Sequence, residues 1–447
     1  MLKKRFMQIF TNQAKCMRMR ILIYGLNYTP ELTGIGKYTG EMAQWLAAQG
    51  HDVRVVTALP YYPAWKVAAG ISPWRYRTEL HQQIKVYRCP LWVPQQPTGL
   101  KRILHLASFA ISSLPVVMWQ GLNWQPDIVF VIEPAFFCVV GALLTSRVSG
   151  AKAWLHIQDF EIDAGFDLGL LPSSGMVRTV ISTIESWLTN RFDRVSTISE
   201  RMLERLRLKG VPAHKCVYFP NWVDIQKIYP LKTSKTLRQE LGIASDTFVA
   251  LYSGSMGEKQ GLEVILAAAQ LLAVDYPNIL FLLCGEGAAQ QRLQKLAQKM
   301  PNVRFLCLQP TEKLNDLLNL ANVHLLPQLP NAADLVMPSK LQGMCASGKP
   351  AIATVFPNTQ IAQVLQSCGI TVFPGDATAL AKAIVYLATS PNECMQLGKA
   401  ARDFTIENWQ QEKILQQLQQ KFSMLCAPSI PSNSRDNVLE QSLKSDS

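Results

Sequence analysis

Paired cysteines are missing from this chain. Its ten cysteines run from Cys16 to Cys426 without one Cys-x-x-Cys spacing or a Cys/His cluster, which disfavours a structural metal site and argues for a reducing compartment. Long apolar runs are missing too. No stretch reaches the eighteen uninterrupted apolar residues of a membrane span. The two nearest are Ile103 to Gln120, broken by His105, three serines and Pro115, and Ile128 to Thr145, broken by Glu133-Pro134. Both read as core or interfacial elements. The three-glycine turn of a dinucleotide fold is absent, so a classical NAD site is disfavoured, and no nucleic-acid module is recognisable. Acidic residues are scarce: 32 Asp and Glu against 44 Lys and Arg leave a formal net charge of +12. That balance favours anionic partners, such as a phosphorylated substrate or an anionic membrane surface.

Apolar and aromatic residues are plentiful. Hydrophobic residues make up 48% of 447, with 10 Trp, 12 Tyr and 17 Phe, enough to bury more than one core, and the length suggests two or three domains. Residues 1–18 carry Lys3, Lys4, Arg5, Lys15 and Arg18 around a short apolar stretch, too short for a signal peptide. They read as a leader, disordered or untranslated, because Met17 and Met19 stand directly before the first strand.

Strands and helices then alternate. Arg20 to Gly25 predicts a strand, Tyr38 to Gln49 a helix stopped by Gly50, and Val53 to Thr57 a second strand. In the loop between, Gly34 and Gly36 allow the close backbone approach that a phosphate cradle requires. Pro60-Tyr61-Tyr62-Pro63-Ala64-Trp65 and Pro73-Trp74-Arg75-Tyr76-Arg77 put aromatics beside cations. Such a loop can stack on sugar rings, lie at a membrane interface or pack on its own domain. His156 ends the strand Ala153 to Ile157, where open α/β sheets place ligand groups; a structural histidine fits there equally.

A second alternation follows. Thr247 to Tyr252 enters the glycine-rich Ser253-Gly254-Ser255-Met256-Gly257-Glu258-Lys259-Gln260-Gly261, and Ile279 to Cys284 ends at Gly285-Glu286-Gly287. The stretch from Asp334 to Pro350 lies between the apolar runs Val323 to Leu326 and Ala351 to Val355. Within it Pro338-Ser339-Lys340 opens a helix, and a helix start with a hydroxyl and a cation suits a phosphate. An ordinary strand-turn-helix with a solvated lysine is the alternative. The expected division is 19–224 for a first Rossmann-like domain, 225–240 for a polar linker and 241–405 for a second. A helix at 406–426 and a disordered tail at 427–447 complete it. Two doubly wound α/β halves of this kind face a cleft into which both send strand carboxyl ends.

These landmarks in this order resemble the GT-B glycosyltransferases of family 4, over about residues 19–410, and within them the colanic acid and exopolysaccharide branch. The pieces are Arg20 to Glu31, Thr33 to Met42, Gly50-His51-Asp52-Val53, Ala58 to Pro63, Pro220 to Asp224, Ser253 to Glu263 and Pro338-Ser339-Lys340 with Ala346 to Pro350. The resemblance implies a GT-B fold with the acceptor on the first domain, 19–224, the nucleotide sugar on the second, 241–405, and the last helices packing back on the first domain. It implies transfer of a sugar from a UDP- or GDP-sugar to a glycan or polyprenyl-diphosphate-linked acceptor, with retention and without metal or cofactor. The enzyme would work in the cytoplasm, at the inner face of an anionic membrane, and would bind no nucleic acid.

By the same resemblance Gly34, Gly36, Ser255, Lys259, Glu286, Ser339 and Lys340 bind the donor. His156 stands near the transferred sugar, and Asp334 joins it in catalysis. The family's two glutamates, eight positions apart, are replaced here by Leu335 and Gly343, with Asp334 beside the first. Two other readings stay open, a nucleotide-sugar 2-epimerase on a similar fold and a degenerate nucleotide-sugar-binding subunit.

Overall fold

The computed structural model describes residues 18–427 except 32–33, 63, 68–69, 96–98, 134–135, 161, 164–165, 167–174, 232–234 and 330–336. Of Lys235, Thr236 and Lys259 it describes the backbone alone. Two sheets organise the chain. The first holds β1 (Arg20–Gly25), β2 (Asp52–Ala58), β3 (Arg77–His81), β4 (Ile84–Cys89), β5 (Ile128–Glu133), β6 (Lys152–Ile157), β7 (Arg194–Thr197) and β8 (Cys216–Tyr218). Their order is β3-β4-β2-β1-β5-β6-β7-β8. All pairs are parallel except β3 with β4.

The central strands are aliphatic on both faces because both faces are covered. Leu22, Tyr24, Val129, Val131 and Leu155 meet Phe109 and Val117 of the long helix Gly99–Asn123 and Val139 of the helix Cys138–Ser149. On the opposite face Ile21, Ile23, Phe130 and Trp154 meet Met42 and Leu46 of the helix Gly34–Ala48. The residue-by-residue alternation between these two cores is the period of two that a strand imposes.

The second sheet is parallel throughout. It holds β9 (Phe248–Ser253), β10 (Ile279–Cys284), β11 (Val303–Leu306), β12 (Val323–Pro327), β13 (Ala351–Thr354) and β14 (Gly369–Val372), in the order β11-β10-β9-β12-β13-β14. Its helices start where short polar side chains can cap free N–H groups: Thr359 Oγ1 accepts from Ala362 N at 3.2 Å and Asp376 Oδ1 from Ala379 N at 2.8 Å. The expected polar linker is partly buried. Ile228 and Leu237 lie in apolar cores, and the Arg402 guanidinium donates to the carbonyls of Ile225 and Ile228.

The chain then returns to the first sheet. After the helix Pro391–Asn408, Val223 N donates to Trp409 O and Gln411 N to Val223 O. The last helix, Gln411–Cys426, lies over the face of β5 and β6, with Phe422 against Phe130 (5.7 Å between centroids) and Trp154 (5.2 Å). Trp45 Nε1 donates to Glu412 Oε2 at 2.7 Å and fastens the rim. Burying a phenylalanine this fully is worth about 1.5–3 kcal/mol.

One element was missing from the sequence reading. The edge hairpin β3-β4 was unannounced, because its turn carries Gln82 and Gln83 at φ 46° and 72°, where glycine or asparagine ordinarily marks such a turn. The segment 103–120 belongs to one helix that, by length and composition alone, could cross a membrane. Leu106, Phe109 and Val117 are nonetheless buried in the first sheet's core, while Leu100, Leu104, Ile111, Trp119 and Leu122 point outward.

Candidate functional site

On the second sheet, the loops leaving β9 and β10 lie backbone against backbone. Gly254 N donates to Cys284 O at 2.9 Å and Met256 N to Glu286 O at 2.8 Å. A side chain at Gly285 would land on the Gly254 carbonyl, and one at Gly287 would land 2.5 Å from Met256 backbone atoms. Both residues also sit at positive φ, 144° and 156°, so contact and conformation both demand glycine. Arg292 ties the neighbouring turn by pairing with Glu258 at 2.6 Å and with Glu263; these carboxylates already engage its charge.

Lys340 enters beside these loops from the helix Lys340–Ala346. Its Nζ lies 3.2 Å from Tyr252 Oη and 4.4 Å from the ring centroid, and its stem passes Gly254 closely enough that an added Cβ there would touch Cδ at 3.4 Å. Among the described residues no carboxylate pairs with this ammonium. Burial pushes its pKa down from the ordinary 10.5 to about 8. A half-buried cation with aromatic and hydroxyl neighbours, and no carboxylate against it among the described residues, has the chemistry to take an anion. The helix has only seven residues, so the lysine contributes more than the helix dipole.

The first sheet contributes from the opposite side. Glu31 is buried and accepts from Asn27 Nδ2 (2.8 Å), Tyr61 N (3.3 Å) and Tyr62 N (3.2 Å). It fixes the loop that ends at Gly34 (φ 62°) and Gly36. A Cβ on Gly36 would stand 2.8 Å from the Glu31 side chain. Two residues on, Tyr38 Oη donates to Gln342 Oε1 at 3.2 Å and also bonds Ser339. Gln342 Nε2 in turn donates to Asn221 O at 3.3 Å. One phenol therefore joins the helix whose first turn holds Gly34 and Gly36 to the helix that begins with Ser339 and Lys340.

Of the residues singled out in the sequence, Gly34 and Gly36 stand in the first turn of the helix that carries Tyr38, Ser339 bonds the Tyr38 phenol, and Lys340 lies against Tyr252. Ser255 joins through its carbonyl, which accepts from Tyr252 Oη, and Glu286 through its own carbonyl; both are exposed. Asp334 and the side chain of Lys259 lie outside the described residues. His156 corrects the expectation of a cleft-facing catalytic histidine. It is 2% exposed, its Nδ1 is 2.9 Å from Ser196 Oγ, and its ring stacks on Phe130 at 5.8 Å and meets Phe219 edge-on at 4.9 Å. Burial pushes its pKa down to about 3, so it is a neutral, packed imidazole at any ordinary pH.

Known proteins agree with this architecture. Residues 33–222 match the family described as "Glycosyl transferase 4-like domain", and residues 233–404 match "Glycosyl transferases group 1". The "Putative colanic acid biosynthesis glycosyl transferase WcaI" of Escherichia coli K12 is 41% identical over 409 residues, 89% of this chain and 98% of that one. The chain belongs to the GT-B glycosyltransferases of family 4. The transferase also shares its fold with sucrose-phosphate synthase from Thermosynechococcus elongatus (TM-score 0.71, 18% identity, 91% of this chain and 99% of that one). It shares it equally with Anabaena HepE in complex with UDP and glucose (TM-score 0.66, 16% identity, 91% and 100%).

The sequence did not single out every residue that shapes this candidate site. Tyr38 and Tyr252 were hidden because an aromatic residue in a helix or strand normally signals core. Gln342 lies within the predicted helix but gave no sign of a partner 304 residues away. Glu31 had a local signal: an acidic residue between Pro30 and the glycine loop, close enough to accept from its backbone.

Proposed function

We propose that this transferase moves a sugar from a UDP- or GDP-sugar to a glycan or polyprenyl-diphosphate-linked acceptor in exopolysaccharide synthesis, with retention and without a metal or cofactor. The observation that carries the reading is Lys340, a depressed-pKa cation without a carboxylate partner among the described residues, between two glycine-shaped loops. A diphosphate there would receive its charge and the Ser339 hydroxyl, with the Gly34–Gly36 loop facing it. As the bond between the sugar's anomeric carbon and the phosphate oxygen breaks, negative charge grows on the departing diphosphate, where a fixed cation lowers the barrier most. The acceptor oxygen bonds to that carbon on the face the leaving group vacates, and its proton passes to a departing phosphate oxygen. This accounts for retention without a second carboxylate.

The relative in Escherichia coli is named for colanic acid biosynthesis, which supports an exopolysaccharide acceptor. Work at the cytoplasmic face of the inner membrane is supported by the net charge of +12 and by the outward Leu100, Leu104, Ile111, Trp119 and Leu122. The test is thermal-shift binding of the purified chain to UDP, GDP and their sugar conjugates without added metal. Binding to the folded state raises the melting temperature. A shift with one nucleotide supports the reading, and no shift with any of them counts against it. Conversion of a free sugar nucleotide without acceptor would favour the epimerase instead.

A further inference from the structure

Side chains two apart on a helix point to opposite sides, and the helix Lys340–Ala346 is held on both. On one side Lys340 lies against Tyr252 and Gly254 in the loops of the second sheet. On the other, Gln342 reaches groups from the first half of the chain. Its Oε1 accepts from Tyr38 Oη at 3.2 Å, and its Nε2 donates to Asn221 O at 3.3 Å. The buried Leu341, Met344 and Cys345 add apolar packing, which has no preferred direction.

The amide can sit only one way round. A backbone carbonyl accepts and never donates, so the group facing Asn221 O is Nε2, which leaves Oε1 for the phenol. The phenol also bonds Ser339, the residue that opens the helix. Tyr38, Asn221 and Gln342 are all buried. A buried polar group short of a partner is costly, and one with its partners in place specifies a single arrangement. A leucine would fill the same space without that demand.

The partners are themselves fixed. Tyr38 meets the Trp222 ring edge-on at 5.2 Å between centroids. One turn further along the same helix, Glu41 Oε2 accepts from Trp222 Nε1 at 2.8 Å and from Gln411 Nε2 at 3.2 Å. Tyr38 and the stretch Asn221-Trp222 therefore present a firm seat for the amide. Gly343, next in the chain, has no side chain to offer a ligand, and that of Gln342 is engaged at both ends.

We propose that Gln342 is a positioning residue for donor binding. Its amide, gripped by Tyr38 and Asn221, fixes the helix from the side of the first sheet and so sets where the Lys340 ammonium stands beside Tyr252. The amide is spent on protein groups and acts through Lys340. This deepens the reading of Lys340 as the cation that meets the donor's diphosphate, and rests on it.

Titration calorimetry of UDP and GDP on the full chain tests it, with Gln342→Leu, Tyr38→Phe and each combined with Lys340→Met. Tyr38→Phe keeps the ring against Trp222 and deletes only the phenol oxygen, so it reads the contact even where Gln342→Leu folds poorly. Each single variant binds the nucleotide about five- to tenfold more weakly, the equivalent of one hydrogen bond. On the Lys340→Met background the same changes cost less than about twofold, because the group they position is gone. The pH above which affinity falls also moves up from about 8, as a loosened Lys340 regains water. Losses that add in full to that of Lys340→Met, or an unshifted pH profile, make Gln342 a packing residue only and overturn the assignment. So do variants that bind as tightly as the wild type. A wild type that binds neither nucleotide removes the donor reading and this proposal with it, whereas additive losses in a chain that binds remove this proposal alone.

Discussion

Replacing Lys340 by methionine probes the anion site with little disturbance to its shape. Methionine keeps a flexible apolar stem beside Gly254 and over the Tyr252 ring, where Nζ now lies 4.4 Å from the centroid, and deletes only the ammonium. A hydrogen bond between a charged group and a phosphate oxygen is worth about 1.5–3 kcal/mol. The variant should therefore bind UDP or GDP about 10- to 150-fold more weakly. The pH dependence is the sharper test. Burial holds Lys340 at about 8 before any ligand binds. Below that pH the cation is ready; above it, binding must first take up a proton, and affinity falls by up to about tenfold per unit. Phosphate ionisation is nearly complete above about pH 7, so titration calorimetry from about pH 7 to about pH 9.5 isolates the lysine. The wild type should lose affinity across that window and the Lys340→Met protein should show a flat profile. The empty wild type should also gain stability between about 8 and 10.5, because the unfolded chain still holds a proton that the folded one has released. Equal affinities, or the same slope in both proteins, would refute the assignment of Lys340 to the donor phosphates.

Three further outcomes follow from the packing. Gly285→Ala drives a methyl group into the Gly254 carbonyl at an unfavourable φ, and urea unfolding should show a loss of about 2–4 kcal/mol; full stability would mean the two loops do not pack as described. His156→Ala should cost about 1–3 kcal/mol while turnover per folded molecule stays within about threefold, and a hundredfold drop in rate would return His156 to the chemistry. His156 and His324 are both held down to about 3 by burial. The unfolded chain therefore takes up protons that the fold refuses, and stability should fall as pH drops from 6.5 towards 3; a urea midpoint unchanged between about pH 7 and about pH 5 would contradict this.

The sequence announced most of the fold because its strands are short aliphatic runs bounded by glycine, proline and polar residues. Ile128–Glu133 and Ile279–Cys284 are buried at every position and could be read as little else. Gly34, Gly36 and Pro338-Ser339-Lys340 were legible for a similar reason: each sits at a turn where the backbone chemistry is local. His156 was misread because a histidine at a strand end looks the same in sequence whichever face it takes. Only Phe130, Ser196 and Phe219, from other strands and loops, set its surroundings. Tyr38 and Gln342, Lys340 and Tyr252, and His105 and Tyr61 are pairs made by the fold, and no local pattern in the chain marks them.

The return of the last helix to the first sheet has a mechanical consequence. The backbone passes between the two halves twice, near Val223 and again near Trp409–Gln411, and the two passages are hydrogen-bonded side by side. A tether paired in this way would resist sliding and stretching more than it resists twisting. Phe422, seated between Phe130 and Trp154, anchors one end of that tether. Phe422→Ala should cost about 3–5 kcal/mol of stability, measurable by thermal unfolding. It should also leave the paired tether at Val223 and Gln411 less firmly held to the first sheet.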